Sequence, residues 1–181
     1  MANLPIPTLT APTDGNFDTG AWWTANVTNP LTYGLNPPLF VGTQTATQSV
    51  NNNAWTALTL DTEQQDTYGG HSTTTNTSRY TVQVAGWYTV CGVSVWANNA
   101  TGVRGARIHI NGTVVQGTCG LIATVTTGSL TGVATPARTV FLNSGDYVEL
   151  GGYQSSGAAL ATAVAAGGDL ASALFVAWSH T

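Results

Sequence analysis

The residues best placed to do chemistry in this chain are Asp61, Glu63, Asp66 and His71, three carboxylates and an imidazole within one short stretch. Carboxylate oxygens at loop spacing suit a hard cation such as Ca²⁺, which takes about six to eight oxygen ligands. The stretch lacks the glycine turn and the closing bidentate Glu of an EF-hand, so a solvated loop is expected. These four residues are the only metal candidates, and no cofactor is expected. His71, His109 and His180 are far apart and show no ligand spacing. Cys91 and Cys119 fall on separate predicted strands. They pair only if those strands are neighbours with Cα atoms within about 7 Å; two buried free thiols are the alternative. No G-x-S-x-G elbow, phosphate-binding glycine loop, H-E-x-x-H or G-x-G-x-x-G occurs. The expectation is a protein with no catalytic residues, not an enzyme.

Charge is scarce. The chain has four Arg, no Lys and eight acids, a net charge of −4, and only 7% charged residues, where ordinary domains carry about 25%. Such a chain offers no footprint for nucleic acid. It has no apolar run of the length that membrane insertion needs. Arg104, Arg107 and Arg138 either share a sheet face or subunit seam, or pair locally with Asp146 or Glu149. The sequons at Asn26, Asn76, Asn99 and Asn111 arise by chance in a chain this rich in Asn and Thr. The first ten residues, M-A-N-L-P-I-P-T-L-T, have neither the basic nor the apolar region of a secretory signal. A surface of neutral hydroxyls and amides suits a durable extracellular or virion protein, and a virion protein released by lysis needs no export address.

The elements that must position these residues fall into two parts. Residues 1 to about 16 read as an extended arm punctuated by Pro5, Pro7 and Pro12. Asp18 is expected to cap a short helix through Ala21, Trp22, Trp23 and Val27, which Asn29-Pro30 would stop. Trp22, Trp23, Val27, Leu31 and Tyr33 have too little chain around them for a core of their own. They either cover the end of this protein's own sheet or anchor it in another protein. From Phe40 the pattern alternates with period two. Strands are expected near 40–49, 55–60, 78–84, 86–97, 103–111, 113–119, 121–126, 134–142, 146–153 and 173–179. Asn111-Gly112 is a hairpin signal, and Asn143-Ser144-Gly145-Asp146 a further turn. Residues 157–170 suit an Ala-rich helix or a loose loop equally. About ten strands with no further helix make an all-β sandwich or jelly roll. Trp87, Tyr88 and Trp96 put rings on both faces of one strand. Together with Tyr147 and Trp178 they are assigned to the core or to a seam between subunits, ahead of a displayed sugar-stacking platform.

Tyr80, Gln83, Gly86, Tyr88 and Val90 follow a spacing that resembles the C1q/tumour-necrosis-factor-like domain. Gln83 stands where that family has Pro, and Val90 where it favours Phe. Gly145-Asp146-Tyr147-Val148-Glu149-Leu150 looks like the family's penultimate strand, and Phe175-Val176-Ala177-Trp178 like its closing strand. This resemblance covers roughly residues 44 to 181. A closer likeness is to actinobacteriophage virion proteins, carried by the W-x-x-N-V arm from Trp23 to Val27 and the junction Asn36-Pro37-Pro38. It extends through Asp61-Thr62-Glu63, Asp66-Thr67, Gly69-Gly70-His71 and the block Ala97 to Arg104. The absence of Lys also suits a GC-rich genome. The resemblance implies a jelly roll of ten strands, usually a homotrimer, built into a phage particle.

The resulting expectation is a docking arm over 1–43 and a C1q/TNF-like jelly-roll domain over 44–181. The protein would be a bacteriophage virion structural protein on the particle exterior, a homotrimeric knob of minor tail or fibre type contacting the host surface. Its partners would be other virion proteins and a host cell-surface glycan. The alternatives are a capsid decoration protein clamping neighbouring major capsid subunits, and a secreted bacterial carbohydrate-binding module.

Overall fold

Thr, Val and aromatic residues recurring every second position favour extended backbone, because branched or planar side chains pack well on a pleated surface. A computed structural model of the chain, described here for residues 8, 10, 20–124 and 129–181, arranges these segments as a two-sheet sandwich. The first strands are β1 (Leu39–Thr43), β2 (Ser49–Val50), β3 (Thr56–Ala57), β4 (Thr62–Asp66) and β5 (Arg79–Thr81). Next come β6 (Gly86–Trp96), β7 (Val103–Ile110), β8 (Thr113–Val114), β9 (Gly120–Ala123) and β10 (Thr131–Ala134). The last are β11 (Arg138–Leu142), β12 (Tyr147–Gln154), β13 (Leu160–Ala161) and β14 (Ala173–His180).

In the first sheet β10 and β11 both pair with β6, and the order continues β6-β14-β1-β4. In the second, β3 and β5 pair with β12, β12 pairs with β7, and β7 carries β8 and β9. Every pairing is antiparallel. Each sheet turns its apolar face inward. Phe40, Tyr88, Val90, Trp96, Leu174 and Val176 from one meet Tyr80, Ala106, Ile108, Val148 and Leu150 from the other in a single core.

Neutral polar groups brace this charge-poor interior. Trp96 Nε1 donates to Ser94 Oγ at 2.9 Å, and Ser94 Oγ donates to the Gly105 carbonyl at 3.1 Å, tying β6 to β7 across the sandwich. Buried Gln154 donates to the carbonyls of Val50 and Ala158, both at 2.9 Å. Buried polar atoms left without such partners would be costly, and these amides and hydroxyls satisfy them without importing charge.

Three expectations change. The early helix does not end at Asn29-Pro30: α1 (Gly20–Trp23) runs through a π-helical turn (Thr24–Thr28) into α2 (Asn29–Leu35). The Asn29 N–H bonds five residues back to Thr24, and Pro30 falls in the first turn of α2, where a missing N–H costs little. The expected Asp18 cap lies outside the described residues. The sheet starts ahead of residue 44, since β1, placed in the arm by the sequence reading, sits between β14 and β4. Residues 157–170 form no helix; they hold the short strand β13, which pairs with β2.

Gly86 opens β6 with φ +155°, and a Cβ there would run into the Trp178 indole. Gly86 therefore marks a close approach between β6 and β14 that a side chain would block.

Candidate functional site

The acidic cluster resolves into separate braces. Asp61 Oδ1 accepts the Thr45 N–H at 2.6 Å and its hydroxyl at 2.9 Å, and Oδ2 accepts the Ala46 N–H at 2.6 Å. Partial burial pushes the Asp61 carboxyl up, but these hydrogen bonds outweigh it and hold its pKa below the usual value. Asp66 closes the turn ahead of β5, accepting the N–H groups of Gly70 (3.1 Å) and His71 (2.8 Å). His71 lies with Nδ1 2.9 Å from Glu63 Oε1 and Nε2 3.1 Å from the Thr77 carbonyl. Among the described residues no three His, Cys, Asp or Glu side chains converge as metal ligands would. The freely solvated loop expected from sequence is instead a set of carboxylates each committed to backbone or imidazole donors.

The arm residues divide. Trp23 and Leu31 are exposed, as is Leu35, while Trp22 and Val27 are half-buried. Tyr33 is not a docking residue. It is buried with Tyr68 and Val84, its ring meeting Trp178 edge-on with centroids 5.1 Å apart. Helix α2 thus packs onto the end of β14, and Tyr33 and Trp178 seal that end of the sandwich. Burial pushes the Tyr33 phenol well above its usual range, and the nearby Tyr68 adds to the shift.

The two thiols are free, Cys91 half-buried in the first sheet and Cys119 exposed ahead of β9. Arg104, Arg107 and Arg138 share no face, and among the described residues none of them pairs with a carboxylate. Arg104 is fully buried and donates to the carbonyls of Asn99 (2.9 Å), Thr101 (2.9 Å) and Val103 (3.1 Å). Arg107 lies on the outer face of the second sheet, and Arg138 on β11 of the first. It is Arg79 that pairs with Glu149, Nε to Oε1 at 3.0 Å, while Asp146 accepts from Asn111 at 2.8 Å.

Of the aromatic residues assigned to core or seam, Tyr88 and Trp96 are fully buried in the core. Trp87 points outward from the first sheet, 39% exposed. Tyr147 is neither core nor on that face; it lies on the outer face of the second sheet beneath Arg79.

Two outer faces remain. On the first sheet, Thr89, Cys91 and Val93 of β6 align with Ala177, Phe175 and Ala173 of β14 and then with Leu39, Val41 and Thr43 of β1, while Trp87 pairs with His180 and stacks on its ring with centroids 6.0 Å apart. Phe141 of β11 extends the face beyond Trp87. No Asp, Glu or Arg stands among these positions, and a shallow depression of about 250 Å³ opens between Val41, Cys91, Val93, Ala134 and Phe175. On the second sheet, β12 alternates Val148 and Leu150 inward with Tyr147, Glu149 and Gly151 outward. Around them stand Trp55, Arg79, Arg107, His109 and Tyr153, which sequence reasoning did not assemble. The period-two pattern of β12 already placed Tyr147, Glu149 and Tyr153 on one face. What it could not supply was the pairing of β12 with both β5 and β7.

No protein-family model and no curated protein matches the chain. Solved structures do. The globular domain of zebrafish complement 1qA aligns with a TM-score of 0.57 at 11% identity, over 80% of this chain and 99% of that one. Eiger TNF from S. frugiperda aligns at 0.56 and 11%, over 80% and 92%. Murine APRIL aligns at 0.55 and 11%, over 77% and 98%. The chain therefore has the C1q/TNF-like jelly-roll fold.

Proposed function

We propose that this protein is a structural knob of a bacteriophage particle, a homotrimer that closes through the outer face of its first sheet. The observation that carries the reading is the charge-free apolar surface of β6, β14 and β1, running from Phe141 and Trp87 to Leu39 and Val41. A contiguous face of this kind on a monomer is rare without a partner. A closed ring of subunits also removes edges and faces that would otherwise aggregate. The fold shared with C1q and TNF domains supports closure about a threefold axis. The phage setting rests on the likeness of the W-x-x-N-V arm and the Asn36-Pro37-Pro38 junction to virion proteins, and on a neutral, Thr-rich surface suited to a durable particle. Exposed Trp23, Leu31 and Leu35 supply the apolar anchor through which the arm joins the particle. The arm fits a tail or fibre position, the one proposed here, and a place on the capsid shell alike; on a tail, a trimer gains avidity from repeated weak contacts.

Light scattering of the purified chain tests the assembly: a mass near three times 18.6 kDa is expected, and a monomer mass would overturn it. Gold labelling of the protein on whole particles tests the position. Label at the tail supports the reading, label over the shell replaces it with capsid decoration, and absence of label from particles removes the virion role.

A further inference from the structure

The second sheet turns a different surface outward. Along β12 the outward positions are Tyr147, Glu149, Gly151 and Tyr153, seven residues from end to end, or about 20 Å over six steps of strand rise. Each end carries a guanidinium laid on an aromatic ring. Arg79 sits 4.1 Å above the centroid of Tyr147, and Arg107 4.0 Å above that of Trp55. Trp55 in turn lies 5.1 Å from the ring of Tyr153. Between them His109 rests over Gly151, where any Cβ would strike its ring. The glycine there keeps the middle of the strip low and open.

The two arginines differ in their electrostatic state. Arg79 is neutralised by Glu149 at 3.0 Å. Arg107 has no carboxylate within ion-pair distance among the described residues; its Nε donates to His109 Nε2 at 2.9 Å, and its face is taken by Trp55. A guanidinium fixed in this way by two neighbours still presents its terminal nitrogens as a fork suited to a carboxylate or phosphate. Beyond Tyr147 the strip runs into an open groove of about 370 Å³ lined by Ser72, Thr75, Asn76, Thr81 and Gln83, a set of hydroxyls and amides.

We propose that the outward face of β12 is a binding strip for an acidic glycan, its anionic group seated on Arg107 and its sugar rings lying beside Trp55 and Tyr153. Aromatic faces with hydroxyl and amide neighbours suit hydroxyl-rich rings, and one unpaired cation suits a ligand whose charges are sparse. A nucleic acid, by contrast, draws its affinity from many neutralised phosphates, and this chain has four Arg, no Lys and a net charge of −4. The strip lies on the sheet opposite the proposed seam, so it stays outward in the trimer. It deepens the host-contact part of the proposed function and rests on that reading for its biological setting only.

The test is a glycan array probed with the intact protein, carrying hexuronate-, sialate- and phosphate-bearing glycans beside their neutral parents. Calorimetry on the best binder then compares wild type with Arg107→Gln and Trp55→Leu, each first shown to keep the wild-type circular dichroism and mass. The expected result is at least ten-fold preference for acidic glycans over their neutral parents. Arg107→Gln should abolish that preference while leaving neutral binding, and Trp55→Leu should weaken both. Arg107→Lys, which keeps the charge and loses the planar fork, should fall between wild type and Arg107→Gln. No acidic preference on the array, affinity unchanged in both Arg107→Gln and Trp55→Leu, or equally tight binding of a single-stranded DNA octamer would each overturn the proposal. A trimer mass with no glycan binding separates failure of this inference from failure of the assembly.

Discussion

Trp87 and Phe141 face each other across the β6–β11 ladder, ring centroids 5.7 Å apart and planes at 76°, and both stay substantially exposed on the outer face of the first sheet. Edge-to-face pairs of this kind add about 0.5–1.5 kcal/mol beyond their buried area, yet here each ring leaves much of its surface in water. The pair forms one end of the apolar face that continues through Cys91, Phe175 and Val41.

Placing a charge in the middle of that face tests its role. Phe175→Asp would bring three carboxylates together around a threefold seam in low dielectric, where unpaired charge is expensive. Phe175 is only half-buried in the isolated chain, so the fold itself should survive. The expected outcome is a monomer mass by light scattering with an unchanged circular dichroism spectrum. A trimer mass for this variant would place the interface elsewhere.

Arg104 makes the opposite prediction. Its guanidinium caps the carbonyls of Asn99, Thr101 and Val103 and touches no carboxylate among the described residues. Burial lowers its pKa, with no charge partner to offset the cost. Hydrogen bonds from a charged donor are each worth about 1.5–3 kcal/mol, and orphaned carbonyls add a penalty. Arg104→Met should therefore cost about 2 kcal/mol or more in a guanidinium titration, while the oligomeric mass stays at the wild-type value.

These two arginine and aromatic sites show how far the sequence could be read. Alternation in 86–97, 103–111 and 146–153 was visible because one face of each strand is buried, and Asn111-Gly112 marked its turn, both residues having positive φ. β4 was invisible, since Thr-Glu-Gln-Gln-Asp on a sheet edge buries no apolar face. The strand expected at 134–142 took in β11 but only the last residue of β10, whose Thr-Gly-Val-Ala run buries Val133 alone. For Tyr33 the choice between this protein's own sheet end and a docking contact stayed open, because its partners, Tyr68 and Trp178, are supplied by segments distant in sequence. The strip on β12 was missed for the same reason: Trp55, Arg79 and Arg107 come from three separate strands or loops, and only sheet pairing brings them beside Tyr147 and Tyr153.

Three titrating groups set how stability should change with pH: His109, Asp61 and Asp146, the last held low by hydrogen bonds from Asn111 and Asn143. Burial, and then the charge of Arg107, lower the His109 pKa, with Glu149 opposing. The unfolded chain therefore takes up a proton before the folded one as pH falls below about 6.5, and stability is lost through that window. Asp61, also lowered, is neutral with respect to pH above about 3.9 and loses its contribution as pH falls through its folded value. Thermal melting from neutral pH downward should show two separate declines. His109→Gln should flatten the first, and Asp61→Asn should shrink the second, to which Asp146 also contributes. A wild-type melting temperature constant across both windows would contradict the assignment.

The four tyrosines gathered at one end of the core offer a final test. Tyr80 is fully buried, stacked 4.8 Å from Phe40 at 17°, and its hydroxyl has no hydrogen-bond partner among the described residues. Tyr88, equally buried, donates its hydroxyl to the Val84 carbonyl at 2.6 Å. Burial pushes both phenols well above their usual range, so each stays neutral, and the difference between them lies in satisfaction alone. Removing an unpaired buried hydroxyl relieves a desolvation penalty of about 1–3 kcal/mol, whereas removing a paired one loses about 0.5–1.5 kcal/mol and orphans its acceptor. Tyr80→Phe should accordingly raise the guanidinium midpoint and Tyr88→Phe lower it, with equal slopes. If both substitutions lower the midpoint, the Tyr80 hydroxyl is satisfied in solution and the stack with Phe40 is not the whole of its environment.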